Sequence, residues 1–194
     1  MTRILIASTA ALLVLPTLAT AQALPAPVIA VVDVQRATTT CNACRTALTQ
    51  LEAQANGLRG LQTSLETSLR AEASSIQSAV TALGGKQPDA ALTARATAFE
   101  RKQQDAQRQL QTREQTFQRN RAHVLQQIGA KLEPAVAAVL TRRGATVMLD
   151  AATVVRFAPS VDVTNDVVAG LNASLSTIST TAPAQARPAT PQGR

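Results

Sequence analysis

The chain has 194 residues, a formal charge of +7 and 2% aromatic residues, with no Trp or Tyr and only Phe99, Phe117 and Phe157. That length suits one ordinary domain, and a binding surface made from these residues must be aliphatic or electrostatic. The basic excess points to acidic partners, whether nucleic acid, anionic lipid or acidic polypeptide.

Arg3, the apolar run 4–18 and the small-x-small sites at Ala19/Ala21 and Ala21/Ala23 have the order of a secretory signal over residues 1–23, with cleavage after Ala21 or Ala23. The run is shorter than the roughly 20 residues that span a bilayer, and Pro16 interrupts it. The mature chain is therefore expected to be soluble outside the cytoplasm. Export makes nucleic acid the least fitting partner.

Residues 28–34 are an almost unbroken β-branched run, the mark of a strand buried on both faces, with Pro25 and Pro27 ending any earlier element. Thr38, Thr39 and Thr40 are N-cap candidates for the helix that follows. Along that helix an apolar seam advances by alternate steps of three and four: Leu48, Leu51, Ala55, Leu58, Gln62, Leu65, Leu69, Glu72, Ile76, Ala79, Leu83. Its mean step is about 3.5 residues, the period of a left-handed coiled coil.

The segment 84–89, Gly-Gly-Lys-Gln-Pro-Asp, stops this helix and starts another. So short a linker predicts an antiparallel partner. The second seam is more polar: Leu92, Ala96, Phe99, Gln103, Ala106, Leu110, Arg113, Phe117, Asn120, Val124. Helices of about 45 residues would be roughly 65–70 Å long, which is an arm rather than a layer of a domain.

Pro134 should kink the second helix or restart it at Glu133. Arg142, Arg143 and Gly144 suit a helix end. Residues 145–149 and 153–157 read as two strands around a turn at 150–152, and 161–176 as a last helix with Val163, Val167, Val168, Leu171 and Leu175 on one side. Residues 177–194 have the composition of a disordered tail.

The expected fold class is α+β, a small β-rich body of residues 24–37 and 133–176 carrying a long helical-hairpin arm of residues 38–132 with its tip near 84–89. A body of three short strands is a poor independent core, and oligomerisation through its strand edges is the simple remedy. Ile29, Val31, Val147, Leu149 and Val155 are the candidate interface residues.

The run Ile29-Ala30-Val31-Val32-Asp33-Val34-Gln35-Arg36, the hairpin, Leu132-Glu133-Pro134 with Val136 and Val139, Gly144, Val147-Met148-Leu149-Asp150 and Ala158-Pro159-Ser160-Val161-Asp162-Val163-Thr164 together resemble the Skp/OmpH family of periplasmic chaperones. The resemblance covers roughly residues 28–175. It implies a homotrimer with a β-rich body and three helical tentacles around a cavity, which holds unfolded outer-membrane β-barrel proteins in the periplasm without ATP or any other cofactor. Cys41-Asn42-Ala43-Cys44 departs from the small and polar residues expected there.

Cys41 and Cys44 form a C-x-x-C pair at a helix start, where the helix dipole favours thiolate. A local disulfide suits an oxidising compartment. A thiol oxidoreductase is the rival reading, but the long hairpin does not supply the βαβ unit of a thioredoxin-like site. His123 has no neighbouring acid or nucleophile in sequence, and Glu52, Glu66 and Glu72 have basic residues at helical spacing. No phosphate loop, G-x-S-x-G or metal-ligand spacing appears, so no enzyme is expected. Lys86, Arg95, Arg101, Lys102, Arg108, Arg113, Arg119 and Arg121 make the second arm helix net basic. They are candidate contacts for acidic clients or an anionic membrane surface. A structural or adaptor coiled coil of the cell envelope, pairing the same seam with one dedicated partner, is the other alternative.

Overall fold

The computed structural model describes residues 25–184. The expected signal segment, 1–23, and the last ten residues of the expected tail, 185–194, lie outside the described residues. In chain order the elements are β1 (Ile29–Val32), α1 (Val34–Thr40), α2 (Asn42–Ala82), α3 (Ala90–Arg142), β2 (Val147–Asp150) and α4 (Thr164–Ser174), with 3₁₀ turns at Ala151–Thr153 and Pro159–Val161.

β1 pairs in parallel with β2, in the register Ile29↔Val147, Ala30↔Met148, Val31↔Leu149 and Val32↔Asp150. Parallel strands need a crossover, and here α1, α2 and α3 together supply it. On its other side Val31 bridges Asp162 and its carbonyl accepts from the Val163 N–H at 2.9 Å. β1 is thus flanked on both edges; of the run expected to be buried on both faces, Ala30, Val31 and Val32 are buried, whereas Val28 and Ile29 are exposed.

The expected strand 153–157 is not present. Asp150 caps the 3₁₀ turn by accepting from the Ala152 N–H at 3.1 Å, the chain turns away, and residues 154–158 have no regular structure. A strand exists only if its backbone finds a partner, and the second edge of β1 is already taken by residues around Asp162.

The first helix begins earlier than its threonines suggest. Asp33 caps α1 by accepting from the Arg36 N–H at 2.7 Å. Thr38, Thr39 and Thr40 lie in its last turns, and their hydroxyls donate back to the carbonyls of Val34, Gln35 and Arg36. Such back-bonding weakens a helix, and the chain breaks at Cys41, the cap of α2. The Asn42 N–H at the start of α2 donates to Asn172 Oδ1 of α4 at 2.8 Å.

α2 has 41 residues and α3 has 53, about 60 and 80 Å at 1.5 Å per residue. α3 is the longer because it runs unbroken through Pro134, with no restart at Glu133; Ala135 and Val139 beyond it are buried. Between the helices Gly84 and Gly85 take φ of +56° and +89°, conformations that suit glycine. Asp89 then caps α3 by accepting from the Leu92 N–H at 2.7 Å. Contacts between the two helices join Gln54 to Asn120, Glu72 to Lys102 and Ser75 to Arg95, so numbering rises along α2 as it falls along α3.

The core is concentrated at one end of this pair. It unites Ala30 and Val32 of β1, Cys41, Cys44, Ala47 and Leu51, Val124, Ile128 and Val139 of α3, and Val167 and Leu171 of α4. Gly170 of α4 lies so close to α3 that an added Cβ would sit 3.3 Å from the Ala135 Cβ. Towards the tip the packing thins. Leu58, Leu65, Leu69 and Ile76 on α2, Leu83 just past its end, and Leu92, Phe99 and Leu110 on α3 are only half-buried. Two helices alone give each seam side chain a partner on one side and water on the other, so much apolar surface stays accessible.

Candidate functional site

Two surfaces stand out: an apolar patch beside the sheet and a groove between the long helices. In the patch Ile29 is 45% exposed, Val147 37%, Leu149 36% and Val155 fully so. Val31, expected with them, is buried, with β2 on one side and the segment around Asp162 on the other. The hydrogen bonds on both edges of β1 enclose it.

The sheet is tied to α4 by one polar network. The Asp33 N–H donates to Thr164 Oγ1 at 2.9 Å, the Thr164 hydroxyl and N–H both donate to Asp162 Oδ1, and Arg36 pairs with Asp162 Oδ2 at 3.1 Å. The Thr164 hydroxyl bond holds the Asp162 carboxyl below the usual carboxylate range; partial burial opposes it, and the Thr164 N–H and the Arg36 charge add to it. The unfolded chain therefore binds the proton more readily. The stability this carboxylate supplies is present above the ordinary value near 3.9, and is lost as pH falls through the lower folded value. Thr164 is fully buried. Thr164→Val should cost about 1–3 kcal/mol by stranding the Asp33 N–H and loosening Asp162, and should flatten the fall of the urea midpoint below pH 4; urea titrations from pH 3 to 7 check both.

The eight basic candidates are dispersed. Lys102 pairs with Glu72 at 2.6 Å and Arg108 pairs with Asp105, whereas Arg95 donates to Ser75 and Arg119 to Thr116 hydroxyls. Among the described residues Lys86, Arg101, Arg113 and Arg121 have no carboxylate partner, and all four are exposed. Lys86 lies between the helices' far ends and Arg113 lines the groove. Cys41 and Cys44 are joined as a disulfide and both are fully buried. His123 is half-buried, and among the described residues no group of three or more His, Cys, Asp or Glu side chains is placed to hold a metal ion. Within the same span no helix is long and apolar enough to cross a membrane.

The groove encloses about 480 Å³ between Gly57, Leu58 and Leu61 of α2 and Arg113, Thr116 and Phe117 of α3. Gln54, Asn120 and Thr181 bound it, Thr181 coming from the segment after α4. Residues 177–182, expected as the start of a disordered tail, are hydrogen-bonded along the two helices by Gln50, Gln54, Asn120 and Gln127. In the sequence Asn120 reads only as a member of the more polar second seam. The available signal was the Thr, Ile and Ser content of 176–181, which favours extended structure, unlike the Ala/Pro/Gln/Arg stretch beyond.

The family model for outer membrane protein (OmpH-like) matches residues 28–171, well over half of the chain. The chain belongs to the OmpH-like family. A solved structure of a candidate outer membrane chaperone (OmpH-like) from Caulobacter crescentus CB15 is similar to it, with a TM-score of 0.66 and 21% identity, covering 82% of this chain and 92% of the other. At that identity the likeness concerns the fold. No curated protein matches the chain. The OmpH-like match takes in both β strands, both long helices and most of α4, but ends before the segment seated on the groove.

Proposed function

We propose that this OmpH-like chain is an ATP-independent holdase that keeps unfolded outer-membrane β-barrel proteins from aggregating in the periplasm. Residues 24–37 and 133–176 form the body and join three copies through Ile29, Val147, Leu149 and Val155. Residues 38–132 form an antiparallel hairpin arm with its tip at 84–89, and three arms enclose the client. The observation that carries this reading is the half-covered apolar seam along two helices of 41 and 53 residues. Leucines that the neighbouring helix leaves partly accessible give weak, non-directional contacts that add up on enclosure. The unpaired cations, Lys86, Arg101, Arg113 and Arg121, favour acidic segments or an anionic membrane surface.

Burial weighs against the thiol oxidoreductase. Thiol–disulfide exchange needs a thiolate to reach a sulfur, and both sulfurs belong to residues with no exposed surface. The test is dilution of a urea-denatured outer-membrane barrel into buffer with a stoichiometric amount of the mature chain, followed by light scattering. Suppression by the unsubstituted protein, retained within twofold by Cys41→Ser with Cys44→Ser, is the expected result. Loss of a disulfide closing so short a loop costs about 2 kcal/mol on the chain-entropy account. Scattering equal to that of the barrel alone would refute the holdase.

A further inference from the structure

After Leu175, buried against the core, the chain runs along α2 and α3 without forming a helix or strand of its own. Amide side chains hold it. Gln127 Nε2 donates to the Ser179 carbonyl at 2.8 Å while its Oε1 accepts from the Ser179 N–H at 3.0 Å. This is the donor–acceptor pair that a neighbouring β-strand would offer. Gln54 Nε2 donates to the Thr180 carbonyl at 3.1 Å, and Asn120 Oδ1 accepts from the Ala182 N–H at 2.9 Å.

Asn120 is 7% exposed, and its amino group donates to Gln54 Oε1 at 2.9 Å, which fixes both amides. One contact reaches a side chain instead, the Thr180 hydroxyl donating to Gln50 Oε1 at 2.8 Å. Four of the five bonds therefore recognise peptide N–H and C=O groups, which every polypeptide carries. The strap fills only one end of the groove; the cavity of about 480 Å³ continues past Thr181 along Leu58, Leu61 and Phe117, with Arg113 at its wall.

We propose that Gln54, Asn120 and Gln127 form a sequence-independent binding site for extended polypeptide backbone, occupied in cis by residues 177–182. A segment of unfolded client takes the strap's place and lays its apolar side chains into the open cavity. This inference rests on the holdase reading for the identity of the ligand, and on the clamp geometry for the site. Tethered behind Leu175, the strap competes at an effective concentration of order millimolar, so only clients engaged by several arms at once displace it.

The probe is a dye-labelled peptide of residues 176–184, Ser-Thr-Ile-Ser-Thr-Thr-Ala-Pro-Ala, its binding read by fluorescence anisotropy on the full mature chain. Ser179→Pro with Ala182→Pro removes the two strap N–H donors and leaves the helices untouched. That variant should bind the peptide at least tenfold more tightly than the unsubstituted chain, and adding Gln54→Leu and Gln127→Leu should abolish the gain. Equal binding by the unsubstituted and strap-proline chains, or no binding by either, would overturn the site. Barrel scattering on the same samples separates the two ideas. Suppression without peptide binding removes the clamp and leaves the holdase, and peptide binding without suppression does the reverse.

Discussion

Val147→Glu with Leu149→Glu is expected to break the proposed trimer into folded monomers that no longer protect a barrel protein. Both side chains are more than a third exposed in the single chain, and β2 has no strand partner beyond β1 among the described residues. Burying such side chains at an interface supplies about 1.5–3 kcal/mol each, repeated in every copy. Six introduced carboxylates around one axis would replace that gain with desolvation and mutual repulsion. Because the substituted positions do not belong to the buried core, helix content by circular dichroism should be unchanged. Sedimentation should shift from three chains to one, and scattering of the denatured barrel should return to its unprotected level. A trimer that persists with both substitutions would show that the copies meet elsewhere.

Leu171→Ala should be the most damaging single truncation. Leu171 has no exposed surface and packs with Val163, Val167, Ile128 and Val139 in the core between α4 and α3. Buried Leu→Ala changes cost about 2–5 kcal/mol, the spread set by how far the surroundings collapse into the void. Gly170 already sits against Ala135, so α4 has little room to move inward and the cost should fall in the upper half of that range. With total stabilities of roughly 5–15 kcal/mol, this is a large share. The urea midpoint, measured at fixed protein concentration because the proposed assembly would add to stability, should fall with its slope unchanged. Leu125→Ala, at a side chain 54% exposed on α3, should change it by less than about 0.5 kcal/mol.

What could be read from the sequence is what local chemistry decides. The three-and-four spacing of Leu48 to Leu83 marks α2, Gly84 with Gly85 marks its end, Asp89 marks the start of α3, and the run around Val31 marks β1. Where two segments compete for one distant partner, the outcome is not legible. Residues 153–157 alternate like a strand, yet their place beside β1 goes to the backbone around Asp162. Thr38, Thr39 and Thr40 are good caps in isolation, but Asp33, held by Thr164 more than a hundred residues away, starts the helix first. Val31 looked like a surface candidate because its two neighbours across the sheet could not be known. The strap escaped for the same reason. Nothing near Ser179 or Ala182 announces the Gln127 and Asn120 amides that hold them, because those lie on α3, some fifty to sixty residues earlier in the chain.

Native mass spectrometry of the chain without residues 1–23, alone and after mixing with a denatured outer-membrane barrel, addresses the proposed enclosure of a client by several arms most directly. Three chains alone, and three chains with one barrel polypeptide in the mixture, is the expected pair of masses. A barrel carried by a single chain, or a mixture in which the two proteins fly separately, would contradict the account.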